Sequence, residues 1–425
     1  MKERVVITGV GVAAPNGVGK EAFTAAIRAG QSGIRYFEAL QELNFSCCVA
    51  GKPEVSEALK LEYFPPLMLR NFISSGILYG CMAGLDAWAD AGLSRNEEAP
   101  DWDSGTIFGI GSSGVEKMRE AAYRLDSGKV KRLGSTTVPQ IMASGVSAYL
   151  GGLLGLGNQV TTNSSACTTG TESILLAYER VANGSAKRML AGSTSDSGPY
   201  IWGGFDAMKV MNFRSNENPE SASRPMSATA AGFVPGSGAG ALVLETLRSA
   251  QDRGATIYAE VLGGAVNSGG QRQGGTMTAP NSEAVQRCIK DALRNADVQA
   301  SEVDLINGHL TATAKDPDEI QNWAAALGRN GADFPYIHSL KAMIGHCISG
   351  AGSIESVAAV LGLHHNFVFP TINCEDPHPE ILKVISSEKI IRQTREDIPV
   401  NIIAKAGFGF GDVNACVLLK KYQNE

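Results

Sequence analysis

Residues 160–181, VTTNSSACTTGTESILLAYERV, limit what this chain can fold into more than any other stretch. Val160, Thr161 and Thr162 favour a strand, small polar residues turn, and Ile174, Leu175, Tyr178 and Val181 recur at helical spacing. Cys167 therefore stands where a strand passes into a helix. The first N–H groups of a helix have no partner within it and carry partial positive charge, so the position favours a thiolate. Ser164, Ser165, Ala166 and Gly170 leave room for a substrate and let backbone approach a reacting carbonyl. A cysteine in such a turn is either a nucleophile or a small buried apolar residue, and the turn alone does not separate the two.

The 425 residues exceed what one small core holds, which predicts two or three domains or one large duplicated unit. Apolar residues at 44% and charged residues at 19% suit a well-buried enzyme rather than a disordered chain. A net charge of −6 gives no general attraction to nucleic acid or anionic membrane, so an acidic partner needs a local basic patch. Eight cysteines without a CxxC pair or regular spacing read as reduced thiols of a cytoplasmic protein. No apolar stretch is long enough to span a membrane. The start, MKERVVITGVGVAAP, has the outline of an export signal, but Thr8, Gly9 and Gly11 interrupt it, and it reads as a buried strand entering a turn. That turn also mimics a dinucleotide fingerprint. Pro15 and Gly17 break the place where its helix would start, which argues against a nicotinamide site.

Along the chain, hydrophobic patterning predicts a strand over 4–11, helices over 20–29 and 72–91, and a strand over 105–111 that ends in the turn Ser112, Ser113, Gly114. The segment 128–139, with Lys129, Lys131 and Arg132, reads as a solvated loop. After the Cys167 helix, Asn183 and Gly184 give a stop and 188–192 a strand, which completes a βαβ unit. Residues 211–224 are polar loop, 241–244 strand, and 256–262 opens a second round of alternating strands and helices. The chain thus divides near Gly254 into halves, 1–253 and 254–425, alike in pattern but sharing little identity.

Two of six histidines share the setting of Cys167. His309 follows a strand in DLINGHLTATAKD, and His346 lies between glycine turns and an apolar helix in KAMIGHCISGAGSIE. Open α/β sheets place ligand sites at such strand ends. His338, His364, His365 and His378 read as surface or packing residues. One Cys and two His could hold zinc, but no HExxH pair or acidic fourth ligand accompanies them, so no metal is expected.

With these motifs in order, the chain resembles the β-ketoacyl-acyl-carrier-protein synthases, elongating condensing enzymes of the thiolase superfamily, along essentially its whole length. The resemblance rests on VVITGVGVAAPNGVG, SSACTTG, SRPMSATAAGFVPGSGAGALVLE, NGHLTATAKDPDE, HSLKAMIGHCISGAGSIES and GFGFGDVNA. It implies an α/β, thiolase-like αβαβα five-layered duplicated fold. It further implies a homodimer, or a heterodimer with a ketosynthase-like subunit, and Cys167, His309 and His346 as the catalytic triad. No bound cofactor is implied, since acyl groups arrive on the phosphopantetheine of an acyl carrier protein. By the same resemblance Lys341 and Glu355 form a buried pair that orients His309, and Phe410 is the gating phenylalanine that shares an oxyanion hole with Cys167. Thr278, Thr311 and Thr313 match positions lining the pantetheine tunnel. Lys131, Arg132 and Arg214 match basic positions that meet the carrier.

Departures from the family pattern bear on substrate. Asp412 and Val413 replace the usual glycine and threonine, and Leu310 replaces the glycine after the first histidine. Thr136 and Thr137 stand where aromatic residues border the dimer contact and acyl pocket, and Ser113 or Gly114 replaces the pocket isoleucine. Leu67 and Met68 fall where basic residues are common. A wider pocket, as for a polyene or pigment pathway, is the expectation these raise. A degradative thiolase would carry a second cysteine in the late glycine turn, where residues 409–411 have none. A chain-length-factor-like partner would usually lack the nucleophile that Cys167 supplies.

Overall fold

The computed structural model describes residues 2–423. In the first half, β1 is Val5–Ala14, α1 Ser75–Asp90, β2 Ser104–Ile110, α2 Gly145–Leu154, β3 Val160–Thr161, α3 Thr169–Ala182, β4 Arg188–Ser195 and β5 Gly238–Thr246. In the second, β6 is Ala259–Ser268, α4 Ser282–Asn295, β7 Leu305–Asn307, α5 Asp316–Leu327, β8 Tyr336–His338, α6 Ala351–His365, β9 Ile402–Gly409 and β10 Val413–Lys421. Together with a two-residue strand on β1, these strands form one eleven-stranded sheet.

The order β3-β2-β4-β5-β1 continues into β6-β10-β9-β7-β8. Read from its outer edge inward, each half runs third, second, fourth, fifth, first. The strand directions repeat as well. β2 is parallel to β3 and β4, and β7 is parallel to β8 and β9. β5 is antiparallel to β4 and β1, and β10 is antiparallel to β9 and β6. The halves join where Val5, Val6 and Ile7 of β1 pair with β6. One topology used twice is what a duplicated fold requires.

Helices fill the remaining layers. α1 and α2 pack on strands of the first half, α4 packs on strands of the second, and α5 lies beside α4 in the same core. α3 and α6 lie between the two halves, each touching strands of both. Position explains sequence here: α6, AGSIESVAAVLGLHH, is buried from Ala351 through Leu363, so it has no solvent face, and its few polar side chains Ser353, Glu355 and Ser356 are enclosed as well. The two central helices cross at glycines. A Cβ on Gly170 would lie 2.2 Å from the Ser353 nitrogen, and one on Gly352 would lie 2.6 Å from the Thr171 nitrogen.

Three local expectations change. β1 does not turn at Gly9 and Gly11 but runs through them to Ala14, because α1 packs against the strand so closely that a Cβ there would meet the Ala87 and Ala83 carbonyls at 2.1 and 2.0 Å. Residues 115–126, unassigned from sequence, form an amphipathic helix with Lys117 and Ala121 buried. The solvated loop 128–139 contains a 3₁₀ turn, Val130–Arg132, and the start of a short helix, Thr137–Ile141. No helix among the described residues is long and apolar enough to cross a membrane.

Candidate active site

Cys167 sits in a 3₁₀ turn, Ala166–Thr168, directly before α3. The turn is sharp: Ala166 adopts a φ of 49°, a left-handed conformation that non-glycine residues rarely hold. Side chains secure it. The Thr169 hydroxyl donates to the Ala166 carbonyl at 2.7 Å and accepts the Ser165 N–H at 2.9 Å. The glycine turn after β9 passes against the sulfur's backbone, where a Cβ on Gly409 would lie 3.1 Å from the Cys167 nitrogen. The N–H groups of Phe410 and of Cys167 itself are thereby aimed at the sulfur.

The other half supplies the histidines. His346 Nε2 lies 3.1 Å from Cys167 Sγ. Its Nδ1 faces the Ile348 N–H at 3.2 Å, so Nδ1 accepts and the ring's single proton resides on Nε2, directed at the sulfur. The ring of His309 stands edge-on to that of His346 at 5.4 Å between centroids. Phe233 and Phe408 flank the two rings. Burial first, then the Lys341 charge, holds both imidazoles well below the ordinary histidine value, so both are neutral near pH 7.

Carboxylates shape the His309 turn. Glu319 accepts the N–H groups of His309 and Leu310, each at 2.7 Å, while Asp316 accepts those of Thr311 at 2.9 Å and Ala312 at 3.1 Å. Burial raises Glu319 to about 7 and Asp316 to about 6, and those same N–H groups oppose the rise. These contacts hold Leu310 at a φ of 22°. Beneath the histidines, Glu355 is bound by Lys341 through Oε1 and lies 2.8 Å from Lys405 Nζ through Oε2. All three are buried. The pair reaches the His309 strand through the Glu355 carbonyl, which accepts from Asn307 Nδ2 at 3.1 Å.

Cys167, His309 and His346 face one cavity of about 400 Å³, which Thr278, Thr311, Thr313 and Phe410 also line. Ser113, Gly114, Thr136 and Thr137 do not line it. The Asp196 carboxylate accepts the Gly114 N–H and the Ser74 hydroxyl, both at 2.8 Å, and so pins that turn to the start of α1. Ser113 donates to the Gln140 carbonyl and Thr137 to that of Leu133. The expectation that these four widen the acyl pocket therefore finds no support in the cavity of a single chain. Lys131, Arg132 and Arg214 are exposed.

The thiol also departs from expectation. Burial pushes Cys167 up to about 11, outweighing Lys341 and the N–H groups that favour the thiolate. A helix start does not prevail over desolvation when the sulfur is enclosed. Alkylation of Cys167 by iodoacetamide should then rise about tenfold per pH unit from about pH 7 to about pH 10, since the thiolate is the reacting species. A rate already flat at neutral pH, read by mass spectrometry of the labelled peptide, would contradict it.

Lys405 is a residue of the site that no motif in the sequence marks. Its signal was a lone lysine in IIAKAGFG, a strand otherwise apolar and therefore buried.

A duplicated five-layer fold with a cysteine from one half meeting two histidines from the other defines the class of thiolase-like proteins. The β-ketoacyl synthase N-terminal domain matches residues 2–250 and the C-terminal domain of the same family residues 258–375, and the chain belongs to that family. It is 34% identical to 3-oxoacyl-[acyl-carrier-protein] synthase 2 of Vibrio harveyi over 424 residues, 99% of each chain. Among solved structures, it superposes on a β-ketoacyl synthase from Burkholderia phymatum with a TM-score of 0.89 at 29% identity, covering 99% of this chain and 100% of that one. The ishigamide ketosynthase/chain length factor matches with a TM-score of 0.86 at 26% identity, covering both chains fully.

Proposed function

We propose that the protein is a 3-oxoacyl-[acyl-carrier-protein] synthase acting by decarboxylative condensation. The observation that carries this reading is the 3.1 Å contact of Cys167 Sγ with a His346 Nε2 whose tautomer the backbone selects, inside a cavity that His309 shares. Cys167 attacks the acyl thioester on a carrier's phosphopantetheine, a C–S bond forms, and the carrier thiol leaves with the proton. This splits one difficult step into two. Malonyl-carrier then loses CO2, and the electron pair of the broken C–C bond moves onto the thioester oxygen as an enolate. Two neutral imidazoles, each with an N–H to give, suit that developing charge. The enolate carbon attacks the acyl-enzyme, the N–H groups of Cys167 and Phe410 receive the second oxyanion, and the C–S bond breaks to release the sulfur.

Thr278, Thr311 and Thr313 serve the pantetheine arm along the cavity, and Lys131, Arg132 and Arg214 meet the acidic carrier. The halves divide at about Gly254, between β5 and β6. Met118, Val130 and Val138 are exposed apolar side chains of the segment after β2, which suits cover by a second, like or ketosynthase-like subunit. All eight cysteines are unpaired, in keeping with a cytoplasmic setting. The curated relatives are named 3-oxoacyl-[acyl-carrier-protein] synthases 1 and 2, and the intact cysteine and histidine pair favours an active subunit over a chain-length-factor-like one.

Incubation with acyl-carrier and malonyl-carrier proteins should give the 3-oxoacyl product, followed by mass spectrometry of the carrier. Cys167→Ala should lose both the acyl adduct and the product. A variant that still acquires the acyl group at another residue would refute the assignment of the nucleophile.

A further inference from the structure

Lys405 lies within β9, opposite Asn307 of β7 and Val417 of β10, on a strand buried along its length. Its side chain is fully buried, and such an ammonium is costly unless its protons find partners. It donates to the Ala406 carbonyl and forms an ion pair with Glu355 Oε2 at 2.8 Å. Glu355 is already matched through its other oxygen by Lys341. One ammonium would neutralise that carboxylate. The second adds a positive charge behind the cavity wall, where it acts on both histidines.

We infer that Lys405 is a positioning residue for the condensation: it fixes Glu355 between two cations and supplies a second positive charge that keeps His309 and His346 neutral, hydrogen-donating, and favourable to a carboxylate or enolate beside them. The inference rests on the condensing reading. Lys405 does not line the cavity, so it acts through the groups around it. Those groups are Lys341 and His346 on the segment after β8, Glu355 on α6, Glu319 on α5, His309 after β7 and Cys416 on β10. The only other carboxylate among them, Glu319, is occupied by the His309 and Leu310 N–H groups, and burial raises it toward its neutral form. Burial lowers Lys405 itself from the ordinary lysine value, and Glu355 opposes that fall, so the carboxylate that the lysine fixes is also what holds its proton. Lys405 in turn helps hold both histidines low.

The sign follows. Removing a nearby positive charge raises an imidazole's pKa, so the rate should begin to fail at a higher pH on the acid side. The test is CO2 release from malonyl-carrier protein against pH, using the full-length protein, Lys405→Met and Lys405→Gln. In the unaltered protein the acid limb should lie below the ordinary histidine value of 6.5. In either variant it should move up by about one pH unit, with Cys167 still acylated. A merely structural role would lower the rate without moving the limb. An unmoved limb in a folded variant overturns the inference alone. If neither variant folds, the unaltered protein decides, and a limb at or above 6.5 overturns it. No CO2 at any pH, despite acylation of Cys167, refutes the condensing reading and this inference with it.

Discussion

Substituting His309 by alanine should slow product formation by about 10²–10³-fold while Cys167 still takes up its acyl group, because one preorganised donor to a developing oxyanion is worth roughly that much. The separation of effects comes from geometry. His346 touches the sulfur at 3.1 Å, whereas His309 meets His346 edge-on, 5.4 Å away between ring centroids. His346→Ala should therefore impair both steps, since it removes the proton that Nε2 directs at Sγ as well as one enolate donor. Acylation is read as a mass increase on the intact protein, and condensation by the 3-oxoacyl product on the carrier. If His309→Ala acylates slowly but condenses any acyl group it acquires at the normal rate, the roles given to the two rings are wrong. Because both imidazoles are neutral by burial, a cationic replacement is no equivalent: His309→Lys should not restore condensation.

What the sequence disclosed follows the reach of each force involved. The SSACTTG turn and the two glycine-cornered histidines were legible because a reactive side chain at a strand end needs small neighbours, and small neighbours leave a pattern. The repeat of strand and helix was legible for the same reason, through periodicity. The layer order was not, because a period states that a face is buried without saying which element buries it. Gly9 and Gly11 read as a turn because a glycine chosen for close helix packing looks the same as one chosen for a turn. Cys167 reads as a ready thiolate because the helix start is visible locally, while the enclosure that raises its pKa comes from segments far along the chain, such as those carrying Phe233, His346 and Gly409. Lys405 shows the limit most plainly. Its partners Glu355 and Ala406 are one remote and one adjacent, and only the folded sheet makes a lysine in a buried strand acceptable.

Gly352→Val should prevent the protein from folding stably, and Gly352→Ala should leave a folded protein with a damaged site. A Cβ at this position lies 2.6 Å from the Thr171 nitrogen and 2.8 Å from its Oγ1, and 3.1 Å from the Gly170 carbonyl carbon. The first and last of these are backbone of the opposing central helix, so no rotamer relieves the overlap. Inserting even one methyl into such a core costs about 1–3 kcal/mol, and the branched side chain adds two further carbons in the same place. That approaches the whole margin of a domain, about 5–15 kcal/mol. The same crossing joins the two halves of the site. Thr171 follows Cys167 by one helical turn and Gly352 follows His346 by six residues, so helices forced apart carry the sulfur from the imidazole. A displacement of about 1 Å is enough to lose about 10²-fold in rate. Gly352→Ala should thus show a modest fall in melting temperature beside a large fall in condensation. If thermal unfolding and turnover fell only in proportion, or if the valine variant melted like the unaltered protein, the crossing would not be what holds nucleophile and histidines together.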